Sequence, residues 1–151
     1  MINPGHNLEL SIVNYLSGST LNPSSLLNGV TASFYCGYDN VDLDNPPIVI
    51  VDCNEANELY FNTRNYEFIT RVFVKEMAAD TSGSVLGALA QAVMNEFVNS
   101  TSACQNFTNT GSYNIAVWQC QTLTPFRSEL QDDALITEGQ FRIIGALVPS
   151  I

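Results

Sequence analysis

Residues that could carry out catalytic or metal chemistry are few and scattered in this sequence. Its single histidine, His6, lies close to the N-terminus, although histidine is the side chain that enzymes use most often for proton transfer. The four cysteines form no Cys-x-x-Cys pair, so no zinc-ligand spacing is present. The sequence contains no Walker A motif, nucleophile elbow or dinucleotide-binding glycine motif. We therefore expect a protein that is not an enzyme and that needs no cofactor or metal.

The cysteines and the acidic loop residues have plain structural interpretations. Cys36, Cys53 and Cys120 fall in predicted strands, where a thiol behaves as a small core residue. Disulfides are the alternative, and they are disfavoured because the first ten residues do not resemble a secretory signal. The Asp39, Asp42 and Asp44 spacing resembles the start of a calcium loop. It lacks the glycine and the bidentate glutamate that such a loop requires, so we predict a solvated acidic loop.

Length and charge restrict the functional classes further. The chain has 151 residues, 46% of them hydrophobic, which suits one domain over residues 1–151 and excludes intrinsic disorder. Five Lys and Arg residues stand against fifteen Asp and Glu residues, for a net charge of −10. A large phosphate-binding surface is excluded because it needs clustered cations. No segment has the roughly 20 consecutive apolar residues that cross a membrane.

Apolar periodicity predicts an α+β fold, a mostly antiparallel sheet with two main helices packed on one face. We expect long polar loops at 17–30, 38–47, 99–112 and 124–135. Leu86, Leu89, Val93 and Phe97 of the second helix are expected to pack on a sheet that contains Ile48, Ile50, Val72, Val117 and Ile143. The predicted helices cover residues 7–16 and 84–98, and the predicted strands cover 32–38, 48–53, 59–62, 66–75, 113–122 and 137–148.

This order of elements resembles the tail-terminator and neck proteins of long-tailed bacteriophages. The likeness is one of pattern and spans nearly the whole chain. Its points are the helices at 7–16 and 84–98 and the strands at 48–53, 66–74, 113–122 and 137–148. The four cysteines, the sparse charge and the loop at 99–112 depart from that family, and they leave open which neck or tail layer the chain occupies.

The resemblance implies a structural virion protein that assembles with itself as a ring, a hexamer in most such proteins. Such a ring joins the tail tube to the head, so its partners are neighbouring neck and tail-tube proteins. It assembles in the host cytoplasm and ends in the virion. The acidic balance suits a channel through which DNA passes without binding, although plain solubility explains the same charge. A small non-enzymatic binding or accessory module, with a ligand cleft between loops, is the alternative.

The sparse cations are the candidate subunit contacts. They lie in or beside the segments 59–75 and 124–135 and on the closing strand, and a guanidinium suits bidentate pairing with a carboxylate of an adjoining subunit. The candidate interface residues are Arg64, Arg71, Lys75, Arg127, Glu129 and Arg142.

Overall fold

The structure is a computed structural model that describes residues 4–17, 32–37, 41, 44, 47–59, 65–77, 86–98 and 113–149. Two helices and five strands lie in this part of the chain. Their order is α1 (Pro4–Ser17), β1 (Ser33–Cys36), β2 (Ile48–Glu58), β3 (Asn65–Met77), α2 (Ala88–Val98), β4 (Tyr113–Gln131) and β5 (Ala134–Pro149). The predicted α+β class is confirmed. Neither of these helices is long and apolar enough to cross a membrane.

The five strands form one sheet in the order β1-β2-β3-β5-β4. The β1 and β2 strands are parallel, and the three other neighbouring pairs are antiparallel. As the unbroken apolar run Ile48–Val51 predicts, β2 has neighbours on both sides. The β5 strand lies between β3 and β4, so β4 is an edge strand in the part of the chain that the structure describes.

Both helices pack on the same face of this sheet. Leu8, Ile12 and Leu16 of α1 share one hydrophobic cluster with Leu89 and Phe97 of α2. Successive side chains of a strand point to opposite faces, and the alternate residues of β2, β3 and β5 supply the sheet side of the cluster. These sheet residues are Val49, Val51, Phe68, Val72, Val74, Phe141 and Ile143. The Phe97 and Phe141 rings stack with their centroids 4.6 Å apart.

The predicted core is confirmed for three residues of α2 and corrected for two residues of β2. Leu89, Val93 and Phe97 are buried, as expected. Ile48 and Ile50 are also buried, but they lie outside the helix-side cluster. They alternate with residues that point toward the helices, so the pleat of the strand turns both side chains to the opposite face. The side chain of Val117 lies outside the described set.

A buried carboxylate of β3 fixes the start of α2. Helix α2 begins at Ala88, four residues after the predicted start. Glu76 is fully buried, and its Oε1 and Oε2 accept hydrogen bonds from the amides of Leu89 at 3.2 Å and Ala90 at 3.4 Å. These amides belong to the first turn, where backbone donors have no partner within the helix. The sequence itself offers Asp80 or Ser82 as the cap of this helix, and both residues lie outside the described set.

The predicted loop at 124–135 is wrong. Strand β4 continues to Gln131 and β5 begins at Ala134, so this segment is the turn end of a β-hairpin with a two-residue turn. Its polar composition reflects exposure at the sheet edge, since an edge strand needs no buried apolar alternation. The loop at 99–112 and nearly all of 18–30 and 38–47 lie outside the described residues. Arg64 also lies outside the described residues. The pairing of β2 with β3 extends as far as Glu58 and Tyr66.

Candidate functional site

The described cations all lie on the face of the sheet that points away from α1 and α2, which we call the charged face. Ladder partners share a face, and the register places Lys75, Ile136 and Glu129 in one row of this face. Three more rows follow in order away from the β4–β5 turn. The first contains Phe73, Glu138 and Arg127, and the second contains Arg71, Gln140 and Thr124. The third contains Ile69, Arg142 and Gln121. Five of the six candidate interface residues therefore come together on one surface.

The charged face is almost electrically balanced, in contrast to the chain as a whole. Four cations, Arg71, Lys75, Arg127 and Arg142, share it with five carboxylates, for a net charge of −1. These carboxylates are Asp52, Glu55, Glu67, Glu129 and Glu138. Nearly all of the chain's net charge of −10 therefore lies elsewhere. Among the surfaces that the structure describes, this is the one that a second acidic protein can approach with the least repulsion.

Arg142 has its ionic partner within the chain. Its guanidinium pairs with Glu67 at 2.6 Å, and both side chains are about a quarter to a third exposed. The two residues are diagonal neighbours on adjacent strands, because Glu67 faces Ile144 and Arg142 faces Ile69. This pair links β3 to β5 within one subunit. The Arg142 charge, which the sequence analysis assigned to a subunit contact, therefore already has a partner in its own chain.

Arg71 and Arg127 lie on either side of a cleft in the charged face, which we call the arginine cleft. Its volume is about 330 Å³, and its lining comprises Arg71, Thr124, Arg127, Glu138, Gly139 and Gln140. Both arginines are exposed, and neither forms an ion pair with another described residue. Two guanidinium groups and one carboxylate give the lining one excess positive charge. The arginine cleft is therefore suited to an additional carboxylate.

An apolar strip adjoins the arginine cleft. A second depression of about 380 Å³ contains the partly exposed side chains of Phe73 and Ile136 beside Arg127, Glu129 and Glu138. Large apolar side chains among exposed charges are typical of protein contact surfaces.

The sequence analysis missed a second polar centre, beneath α1. Glu9 is only 7% exposed, and its carboxylate accepts the Cys53 amide hydrogen at 3.1 Å and lies 3.3 Å from His6 Nδ1. Burial raises the pKa of Glu9, and the Cys53 and His6 contacts oppose that shift. The contact with Cys53 lies where the register of β2 shifts, so Glu9 satisfies a donor beside the bulge.

Both buried carboxylates left a signal in the sequence. Glu9 stands three residues before Ile12 and seven before Leu16, and so interrupts the apolar stripe of α1. Glu76 continues the alternation of Val72 and Val74 in β3. In each case, a carboxylate at a position where the pattern requires a buried apolar side chain indicates a buried backbone N–H that needs an acceptor.

The cysteines in the described part of the chain are free thiols. Cys36, Cys53 and Cys120 are partly buried, and burial raises the pKa of Cys36 and raises that of Cys53 to about 11. Such thiols hold their protons at neutral pH and react slowly. Across the described residues, no three His, Cys, Asp or Glu side chains are grouped so that they could hold a metal ion. Cys104 lies outside these residues.

Comparison with known proteins gives a distant structural likeness. No protein-family model matches the chain, and no curated protein matches it. A chain of the solved structure described as "Virion of native gene transfer agent (GTA) particle" is similar over 92% of this chain and 94% of that chain, with 13% identity and a TM-score of 0.47. A likeness this distant does not assign a function.

Proposed function

We propose that this protein is a non-enzymatic structural virion protein that assembles with itself into a ring. Its role is that of a phage tail terminator, or of an adjacent neck or tail-completion subunit that joins the tail tube to the head. The proposal combines the pattern of helices and strands, which resembles those proteins, with the composition of the charged face.

The observation that carries the proposal is the charge balance of that face. Copies of a chain with a net charge of −10 repel one another, and the repulsion is smallest where opposite charges are interspersed. The charged face gathers every described cation, and it adds the partly exposed Phe73 and Ile136. Apolar area at the centre of an interface supplies affinity, while the surrounding charges set orientation.

The two buried carboxylates favour a structural role over catalysis. The Glu9 and Glu76 carboxylates both accept backbone hydrogen bonds that hold a helix against the sheet. Each carboxylate is therefore engaged in hydrogen bonds within the fold, and each lies on the helix side of the sheet, away from the arginine cleft. This arrangement is the one expected when buried charges serve packing instead of a reaction.

The proposed location and partners follow from this role. The ring assembles in the host cytoplasm and is carried in the virion, at the neck or at the head-proximal end of the tail. Its partners are other copies of the chain, six in the simplest ring of this kind, and the neighbouring neck and tail-tube proteins. DNA crosses the ring without base-specific contact, since the acidic chain offers few cations for phosphates.

Native mass spectrometry and sedimentation across a concentration series test the proposal. We expect a single closed oligomer and ring-shaped particles by electron microscopy. Reversing the charge of Arg71 or Arg127 is expected to abolish assembly while circular dichroism and the melting temperature of the monomer stay unchanged. A wild-type chain that remains monomeric at high concentration contradicts the ring, and it leaves the small binding module as the better description.

A further inference from the structure

The turn that joins β4 to β5 carries two carboxylates in an unfavourable backbone conformation. Asp132 and Asp133 are both exposed and have φ angles of 48° and 64°. Gln131 pairs with Ala134, so the turn has two residues. Such turns favour Asn-Gly because both residues adopt positive φ. Two adjacent aspartates add repulsion between like charges, and neither carboxylate forms an ion pair or hydrogen bond with another described residue.

Aspartate tolerates a positive φ, but no described residue of the same subunit offsets the repulsion between the two carboxylates. The backbone strain and the repulsion both oppose folding, and strain at an exposed position often accompanies a function. The two carboxylates are adjacent in the chain, and the guanidinium groups of Arg71 and Arg127 line one cleft from neighbouring rows of the charged face. Neither guanidinium forms an ion pair with another described residue. Each guanidinium offers a planar fork of donors that matches one carboxylate.

The turn cannot fill the arginine cleft of its own subunit. Asp133 is five residues from Glu138, which lines the cleft, and both belong to the same paired hairpin. At about 3.3 Å per residue of strand, the two points are roughly 16 Å apart. The ladder with β3 holds β5 from Ala134 onward, so the strand does not fold back. The two carboxylates therefore remain available for a contact with another molecule.

We propose that the Asp132–Asp133 turn of one copy binds in the arginine cleft of the next copy. The inference rests on the proposed function, because it assumes that copies of the chain associate. The contact joins two different surfaces, so an open chain of subunits always keeps one free turn at one end and one free cleft at the other. Repetition of this head-to-tail contact closes a ring when the rotation between neighbours divides a full turn. The partner at the arginine cleft is thus a second copy of this chain.

Two double variants separate the two halves of the contact. D132N/D133G removes both carboxylates and installs the residues that the turn prefers, so the monomer should melt at a higher temperature than wild type. R71Q/R127Q removes both guanidinium groups from exposed positions. D44N/E58Q is the matched control, since it also removes two exposed carboxylates but lies outside the turn and outside the rows of the charged face.

Each binding variant is expected to weaken self-association about tenfold or more, as loss of close interfacial charge pairs does. The control should assemble like wild type. An equimolar mixture of D132N/D133G and R71Q/R127Q retains one intact cleft and one intact turn, on different chains. Native mass spectrometry should therefore show heterodimers in the mixture and no larger species.

The outcomes distinguish this inference from the proposed function. Wild-type rings together with normal assembly of either variant overturn the turn-in-cleft contact and leave the ring intact. Failure of the mixture to form heterodimers also overturns the contact. A wild-type chain that is monomeric at every concentration overturns both proposals.

Discussion

The buried Glu76 carboxylate offers a direct test of how α2 is held on the sheet. In E76A, the amides of Leu89 and Ala90 lose their acceptor in a fully buried site. Leaving a buried donor unsatisfied costs about 1–3 kcal/mol, so two donors give about 2–6 kcal/mol. Removing a buried charge returns part of this energy. We expect the free energy of unfolding to fall by about 3 kcal/mol, a large part of the stability of a small domain.

A conservative variant and an exposed control make this measurement specific. E76Q keeps one carbonyl oxygen and should lose about 1 kcal/mol, the net value of one hydrogen bond. E55A removes an exposed carboxylate and should change stability by less than about 0.5 kcal/mol. Urea unfolding followed by circular dichroism gives the free energies, and hydrogen exchange at Leu89 and Ala90 locates the effect. If E76A unfolds like E55A, the carboxylate does not anchor the helix and the reasoning fails.

Three further predictions concern the helix-side core, the polar centre beneath α1 and the thiols. L89A removes a fully buried side chain and should cost about 2–5 kcal/mol in urea unfolding; a loss near zero would show that α2 faces solvent. Because burial raises the folded-state pKa of Glu9 above its ordinary value of 4.5, its stabilising contribution is present below pH 4.5 and is lost as pH rises through the folded pKa. The melting temperature of E9Q relative to that of wild type should therefore rise as the pH increases. Melting temperatures of the two proteins that change in parallel with pH would contradict this. Native Cys36 and Cys53, whose pKa values are raised, should be alkylated slowly at neutral pH and quickly in urea, and reductant should not lower the melting temperature.

Apolar periodicity revealed the elements that bury side chains. The alternation of Phe141, Ile143 and Gly145 identified β5, and the stripe of Leu89, Val93 and Phe97 identified α2. The second half of β4 gave no such signal because its described side chains are exposed. Its single proline, Pro125, lies at an irregularity of the ladder between Thr124 and Arg127, a position that an edge strand tolerates.

The arginine cleft could not be predicted from the sequence, because its formation depends on the register of β3 and β4 against β5. Sequence position placed Arg71 and Arg127 in two separate segments, and their charge made both of them candidates for contacts. Only the pairing of β3 and β4 on either side of β5 brings them to neighbouring rows of one face. A register shift of one residue would send either side chain to the helix side.

The interior position of β5 has a consequence for the order in which the protein can fold during synthesis. The two strands that β5 joins, β3 and β4, both leave the ribosome before it. Until β5 follows, β3 has no partner along the edge where residues 134–146 belong, and the apolar side chains of Phe68 and Val72 lack half of their surroundings. Residues that pair between β3 and β5 are about 70 positions apart in the chain. Such non-local pairing forms slowly, because the entropy of closing the loop is lost before the new contacts can stabilise it. The nascent chain therefore presents an unpaired, apolar strand edge through about the second half of its translation, and chaperone dependence is expected to be concentrated in that interval.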